Sequence, residues 1–128
     1  MKKETLSTGK MGEELACGYL VRQGHTILAR NWRSDHLEVD IISQDGDGLH
    51  IVEVKTRRLP AVASPEANVG PAKRQHLVKA AKAWLASDDR PPVAAGAELF
   101  FDIVSVEFAP DGEAKLRYYP QAFIPIYV

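Results

Sequence analysis

The sequence predicts an α/β protein in which a central mixed β-sheet is flanked by helices. Three observations lead there. Residues 8–23 and 72–87 place apolar side chains at helical spacing. Runs at 26–29, 37–43, 49–56, 99–108 and 116–119 carry the alternation and side chains of strands. The resulting order, α-β-β-β-α-β-β, suits a mixed sheet with helical cover. A length of 128 residues, 45% of them hydrophobic and 26% charged, suits a single domain over 1–128 with one continuous core.

The first helix can be capped by Ser7 or Thr8 and ended by Gly24. Met11, Leu15 and Tyr19, with Ala16 and Leu20 beside them, form the expected buried stripe. At about 100° per residue the stripe runs from about 0° at Met11 to about 180°. Glu13 falls at about 200°, on its border, and Glu14 at about 300°, toward solvent. Only Glu13 is placed to reach inward.

The strands at 37–43 and 49–56 are joined by Asp45-Gly46-Asp47-Gly48, residues suited to a tight hairpin. The stretch 57–71 contains three prolines and a glycine and reads as a loop. In the second helix Leu77, Ala81, Trp84 and Leu85 form the expected stripe, and Pro91-Pro92 lies past its end. A turn at Pro110-Asp111-Gly112 separates the last two strands.

Charge narrows the function. The formal net charge is −1, which excludes a broadly basic coat for nucleic acid. The middle of the chain is nevertheless positive. Residues 54–87 contain Lys55, Arg57, Arg58, Lys73, Arg74, Lys79 and Lys82 against Glu66 alone. Cys17 is the single cysteine, so no intrachain disulfide forms, and it reads as a small packing residue. The start has lysines but no apolar run, and no stretch approaches the ~18–20 apolar residues of a membrane span. A cytoplasmic location without membrane association is the expectation.

Strand periodicity assembles the candidate chemistry. Residues two apart share a face, so Glu38, Asp40 and Ile42 go together, as do Ile51, Glu53 and Lys55. Leu37, Val39 and Ile41, and then Val52 and Val54, should form an apolar opposite face. If 45–48 is a symmetric loop, Gln44 pairs with Leu49 and Asp40 lies opposite Glu53. Opposed carboxylates repel, and a divalent cation with oxygen ligands, Mg²⁺ or Mn²⁺, would remove that repulsion. If the turn shifts by two, Asp40 faces Lys55 and the two form an ordinary ion pair. Pattern alone leaves both readings open.

The order Asp40 … Glu53-Val54-Lys55 resembles the PD-(D/E)xK signature of restriction-endonuclease-like nucleases, with Val39 at the proline position. More closely, the chain is similar to the YraN/UPF0102 family, related in fold to Holliday junction resolvases. The matching stretches are Gly12-Glu13-x-x-Ala16, Asn31-x-Arg33, Glu38-Val39-Asp40-Ile41-Ile42, Val52-Glu53-Val54-Lys55-Thr56-Arg57 and Phe101-Asp102-Ile103-Val104. The resemblance implies a three-layer restriction-endonuclease-like fold and a metal-dependent endonuclease that hydrolyses DNA phosphodiester bonds, on branched or damaged DNA. It implies that Asp40, Glu53, the Val54 carbonyl and Glu13 hold Mg²⁺ or Mn²⁺, and that Lys55 orients the attacking water. Three departures stand out: Leu37 replaces a usual glycine, Val62-Ala63 a Phe-Gly pair, and His76 an arginine.

DNA contacts are expected from Arg33, Arg57, Arg58, Lys73 and Arg74, by backbone and shape rather than by base readout. Trp32 reads as packing, and Asp102 as a strand-edge or turn hydrogen-bond acceptor. His25, His36, His50 and His76 lack zinc-like spacing, so none is assigned to a metal. Tyr118, Tyr119, Phe123 and Tyr127 can cover the sheet edge or form a homodimer surface. Two other functions fit the same residues: a nucleic-acid-binding protein on a nuclease-like scaffold without hydrolysis, and an interaction module using the C-terminal aromatics.

Overall fold

The computed structural model describes residues 7–60 and 70–124. Helix α1 (Thr8–Arg22) is followed by β1 (Thr26–Ser34), β2 (Leu37–Gln44) and β3 (Gly48–Arg58). Helix α2 (Pro71–Ala86) then leads to β4 (Glu98–Phe108) and β5 (Ala114–Tyr119). The five strands form one sheet in the order β1-β2-β3-β4-β5. Only β3 and β4 are parallel, and α2 lies in the connection between them, as parallel neighbours require a crossover. The element order matches the sequence expectation, and the arrangement is consistent with a restriction-endonuclease-like fold. β1 is longer than expected, taking in Asn31, Trp32 and Arg33, and β3 extends through Arg57 and Arg58. The Val62-Ala63 departure and Tyr127 lie outside the described residues.

Each helix ends where its chemistry says it should. The Ser7 hydroxyl accepts the Lys10 N–H at 3.2 Å, and Gly24, at φ 97°, takes the left-handed position after α1. Helix α2 begins at Gly70-Pro71, where proline's fixed φ and missing N–H do no harm.

Both faces of the sheet are apolar and both are covered, which corrects the expectation of one apolar and one mixed face. On one face Ala16, Cys17 and Leu20 of α1 pack on Ile41, Val52, Val104, Val106 and Phe108. On the other, Leu77, Ala80, Ala81 and Trp84 of α2 pack on Val39, Ile42, Ile51, Phe101 and Ile103. Trp32 and Leu37 border this second cluster, so Trp32 does serve packing. Phe123 is buried in the same cluster, against Phe101, and therefore covers the sheet rather than presenting a dimer surface.

Of the expected helix stripes, Ala16, Leu20, Leu77, Ala81 and Trp84 are buried, but each contact face is turned toward smaller residues. Leu15 is 40% exposed and Leu85 36%, while Gly12, Ala16, Cys17 and Leu20 are the buried residues of α1. That face centres at about 170° from Met11, which brings Glu13 close to the middle of the contact. Small residues win because they let α1 lie close to the strands. A Cβ at Gly12 would collide with the Thr56 hydroxyl and stand 2.9 Å from its methyl carbon. Gly12→Ala is therefore expected to destabilise the protein by about 1–3 kcal/mol, although alanine favours helix. A denaturation midpoint equal to or above that of the wild type would show that α1 does not lie this close to β3.

Candidate functional site

The hairpin forms in the symmetric register. Gln44 pairs with Leu49, and the recorded β2–β3 ladder runs to Ile41 opposite Val52. At the next position the strands part. Asp40 turns its carboxylate into the gap and accepts the Val54 N–H at 2.8 Å, taking the place of a ladder bond. In an extended strand a residue's N–H and C=O face the same neighbour, so the Val54 carbonyl faces the same gap.

The alternation assumed from sequence fails at this point. Val39 and Ile42 both pack on the α2 side, whereas Ile41 packs on the α1 side. The cause lies across the β1–β2 ladder. Arg30 pairs with Ile41 and Trp32 with Val39, which puts Asn31 opposite Asp40. Asn31 has φ 51°, a left-handed conformation that asparagine tolerates better than most residues. The kink frees Asp40 from a regular pleat.

A cleft of about 260 Å³ results, lined by Gly9, Glu13, Asp40, Val54 and Thr56. Glu13 enters it from α1. Its Oε1 is buried and has no hydrogen-bond partner among the described residues, while the Asn31 side chain bonds the carboxylate. Burial and then the Asp40 charge raise the Glu13 pKa. Burial also raises Asp40, against the Val54 N–H, which lowers it. Glu53 hydrogen-bonds to Asp40 and is pushed up to about 7 by burial and by the Asp40 charge. Asp40 thus lies between Glu13 and Glu53 in a partly dehydrated gap, and its charge acts on both. An uncompensated buried acceptor and mutually raised carboxylates fit a hard divalent cation with oxygen ligands.

The cations expected to meet DNA occupy more committed positions. Lys73, in the first turn of α2, approaches Glu53 at 3.3 Å. Lys55 is near enough for its charge to favour ionised Glu53. Arg57 grips Glu107 through Nε at 2.9 Å and Nη2 at 2.6 Å. Arg58 donates to the Thr8 hydroxyl at 2.7 Å. Arg33 pairs with Glu38 at 3.3 Å, and the Arg74 guanidinium lies 5.5 Å from the Phe123 ring centroid. Of the departures, Leu37 packs beside the α2-side core, and the His76 ring meets His36 at 5.6 Å.

The other end of the same hairpin holds a cluster that spacing did not disclose. His25, Asp45 and His50 each offer a ligand atom, all within 4.8 Å of one another, and could coordinate a divalent metal. For His25 and His50 the reading that assigned no histidine to a metal is thereby corrected. They come from separate elements, so no local motif marks them. The signal was in the register: Ser43 faces His50 and Thr26 faces Gln44, which leaves His25 beside Asp45. Burial and the neighbouring His50 lower the His25 pKa. Burial also works against protonated His50, but hydrogen bonds to Asp102 and Asp45 outweigh it and raise the pKa. Asp102 is 2% exposed and accepts from His50, the Tyr118 hydroxyl and the Gln121 N–H, the hydrogen-bonding role expected for it.

The family model described as "Uncharacterised protein family UPF0102" matches residues 12–106, which include Glu13, Asp40, Glu53 and Lys55. A UPF0102 protein of Oleidesulfovibrio alaskensis is 51% identical over 84 residues, 66% of this chain and 42% of that protein. One from Nitratidesulfovibrio vulgaris is 48% identical over 83 residues, 65% of this chain and 62% of that protein. The match therefore spans less than two thirds of either of these relatives. A UPF0102 protein of Trichlorobacter lovleyi is 37% identical over 122 residues, 94% of this chain and 93% of that protein. The chain belongs to the UPF0102 family, and through it is related to the PD-(D/E)xK-like nucleases.

Proposed function

We propose that the chain is a single-domain, divalent-metal-dependent endonuclease that hydrolyses DNA phosphodiester bonds, on branched or damaged DNA. The observation that carries this reading is the gap between β2 and β3. There Asp40 leaves the ladder, Glu53 bonds to it, and Glu13 brings an unpartnered buried oxygen.

Asp40, Glu53, Glu13 and the Val54 carbonyl would hold Mg²⁺ or Mn²⁺. The ion, when bound, supplies Lewis-acid activation and charge neutralisation at phosphate. The chain's own groups do the rest. Asn31 orients Glu13, and the Val54 N–H orients Asp40, so neither ligand needs to reorganise. Lys55, two residues from Glu53 on the same strand face, holds the attacking water and offsets negative charge as it develops. Lys73 and Arg74 open α2, where backbone N–H groups add to phosphate binding. Arg33, Arg57 and Arg58 extend the contact along the DNA backbone. The anchoring of Arg57 by Glu107 fixes its position but reduces its free charge.

The purified chain should cut at least one of supercoiled, single-stranded, nicked or four-way-junction DNA in Mg²⁺ or Mn²⁺, and none in EDTA. Salt-sensitive DNA binding without metal-dependent cutting would replace this reading with the non-catalytic scaffold, for which the Lys73 ion pair speaks because it engages Glu53, a proposed metal ligand.

A further inference from the structure

We propose that His25, Asp45 and His50 form a second metal site, separate from the acidic cleft, for a divalent first-row transition ion of the zinc type. It does not depend on the nuclease reading.

The geometry is that of a supported ligand set. His25 follows Gly24 at the exit of α1, Asp45 opens the hairpin turn, and His50 lies on β3. Both imidazoles aim Nε2 at the Asp45 carboxylate, His50 at 2.9 Å from Oδ1 and His25 at 3.4 Å from Oδ2. Four ligands at ~2.0–2.1 Å from a tetrahedral zinc stand about 3.3–3.4 Å from one another, so these spacings need little adjustment. The other nitrogen of each ring is already held. His50 Nδ1 meets Asp102 Oδ2 at 2.6 Å, and His25 Nδ1 meets the Ser43 hydroxyl at 2.9 Å. The Asp102 carboxylate favours the His50 tautomer that presents Nε2 as a lone pair, and the Ser43 hydroxyl, able to accept or donate, accommodates the same tautomer in His25. Asp45 is fixed as well, because Oδ1 accepts the N–H groups of Asp47 and Gly48 at 3.0 and 3.1 Å.

The hydrogen-bond chemistry makes the same point. Both nitrogens of His50 face carboxylates, and a neutral imidazole has one proton to give. The imidazolium form satisfies both carboxylates, and an ion on Nε2 can take the place of the second proton while the Nδ1 proton stays with Asp102. Two nitrogens and one oxygen select borderline ions over Mg²⁺, which favours the all-oxygen set at the other end of the hairpin. The cluster borders a cleft of about 270 Å³, also lined by Gln23, Asp47 and Gln121. Three protein ligands beside an open cleft leave a fourth position for water or an exchangeable ligand.

The test is a Zn²⁺ titration of the full metal-free chain, read by the imidazole NMR signals of all four histidines and by Tm. The wild type should show one saturable step in which His25 and His50 shift, His36 and His76 do not, and Tm rises. The same step should persist in Asp40→Asn/Glu53→Gln, which disarms the acidic cleft. His25→Gln should weaken Zn²⁺ on the order of 100-fold. If that variant fails to fold, the wild-type histidine signals decide alone. Absence of a saturable step, shifts confined to His36 and His76, or loss of the step in the double variant would overturn the proposal. Loss of DNA cleavage in the double variant with the Zn²⁺ step intact would support both readings independently.

Discussion

Asp40→Asn is expected to lower metal-dependent DNA cleavage on the order of 10³-fold while leaving the fold in place. Asparagine keeps an oxygen for the Val54 N–H that Asp40 now accepts at 2.8 Å, so the parting of β2 from β3 persists. What disappears is the negative charge between Glu13 and Glu53. The measurement is initial cleavage rate against Mn²⁺ concentration, with Tm and circular dichroism confirming the fold. Turnover equal to that of the wild type, from equally pure protein, would remove Asp40 from the site. The size of the effect reflects how little redundancy the gap has. Glu13 and Glu53 approach it from α1 and β3, and Asp40 is the group that meets both.

Glu53→Gln is expected to do two opposite things. It should abolish tight metal binding, and it should stabilise the metal-free protein at alkaline pH. Burial and the Asp40 charge hold the Glu53 pKa at about 7, above the ordinary 4.5 of a glutamate. The folded state therefore keeps a proton that the unfolded state has released, and wild-type stability falls as pH rises from about 4.5 to about 7. Glutamine carries no such cost and can still donate to Asp40. The variant's advantage should be absent in acid, grow across that interval and level off above it. Its plateau is on the order of 1–2 kcal/mol, after discounting for the shared titration with Asp40. The lost contact to Lys73, half-exposed, subtracts less than about 1 kcal/mol. Denaturation in EDTA across this pH range reads the effect, and Mn²⁺ should restore stability to the wild type alone. A pH-independent difference, or a variant weaker than the wild type at high pH, would contradict the crowding of Glu53 and Asp40.

The two halves of the hairpin show what kind of information lies where. Alternation of Val and Ile and the Asp-Gly repeat reduced the hairpin to two registers, and the structure takes the symmetric one, with Gln44 opposite Leu49. From that register follow the closeness of Asp40 to Glu53 and of His50 to Ser43. The period-two rule then misled at residues 39–42, because it assumes an unbroken pleat. A single left-handed residue on the neighbouring strand, Asn31, breaks that pleat and turns Asp40 into the gap. Nothing local to residues 37–43 announces it.

Helical faces divide in the same way. Their bounds were legible within two residues from Ser7, Gly24 and the Pro91-Pro92 stop, since such signals are local chemistry. Their buried faces were legible in part, through Ala16, Leu20, Leu77, Ala81 and Trp84, but closeness to the sheet favoured Gly12 and Ala80 over the larger Leu15 and Leu85. The same closeness carries Glu13 inward with a carboxylate oxygen left unpartnered among the described residues.

By itself the sequence determined the element order and the candidate acids Glu13, Asp40 and Glu53, which depend on short-range periodicity, while the hairpin register was left between two alternatives. Tertiary structure alone decided which positive charges are already engaged, as Arg57 is by Glu107 across 50 residues of chain. It alone assembled His25, Asp45, His50 and Asp102, whose partners lie on separate strands and turns. The physical reason is common to both: charge pairing and metal ligation depend on separations of a few ångströms in space, and the chain sets those separations only once its distant segments have packed.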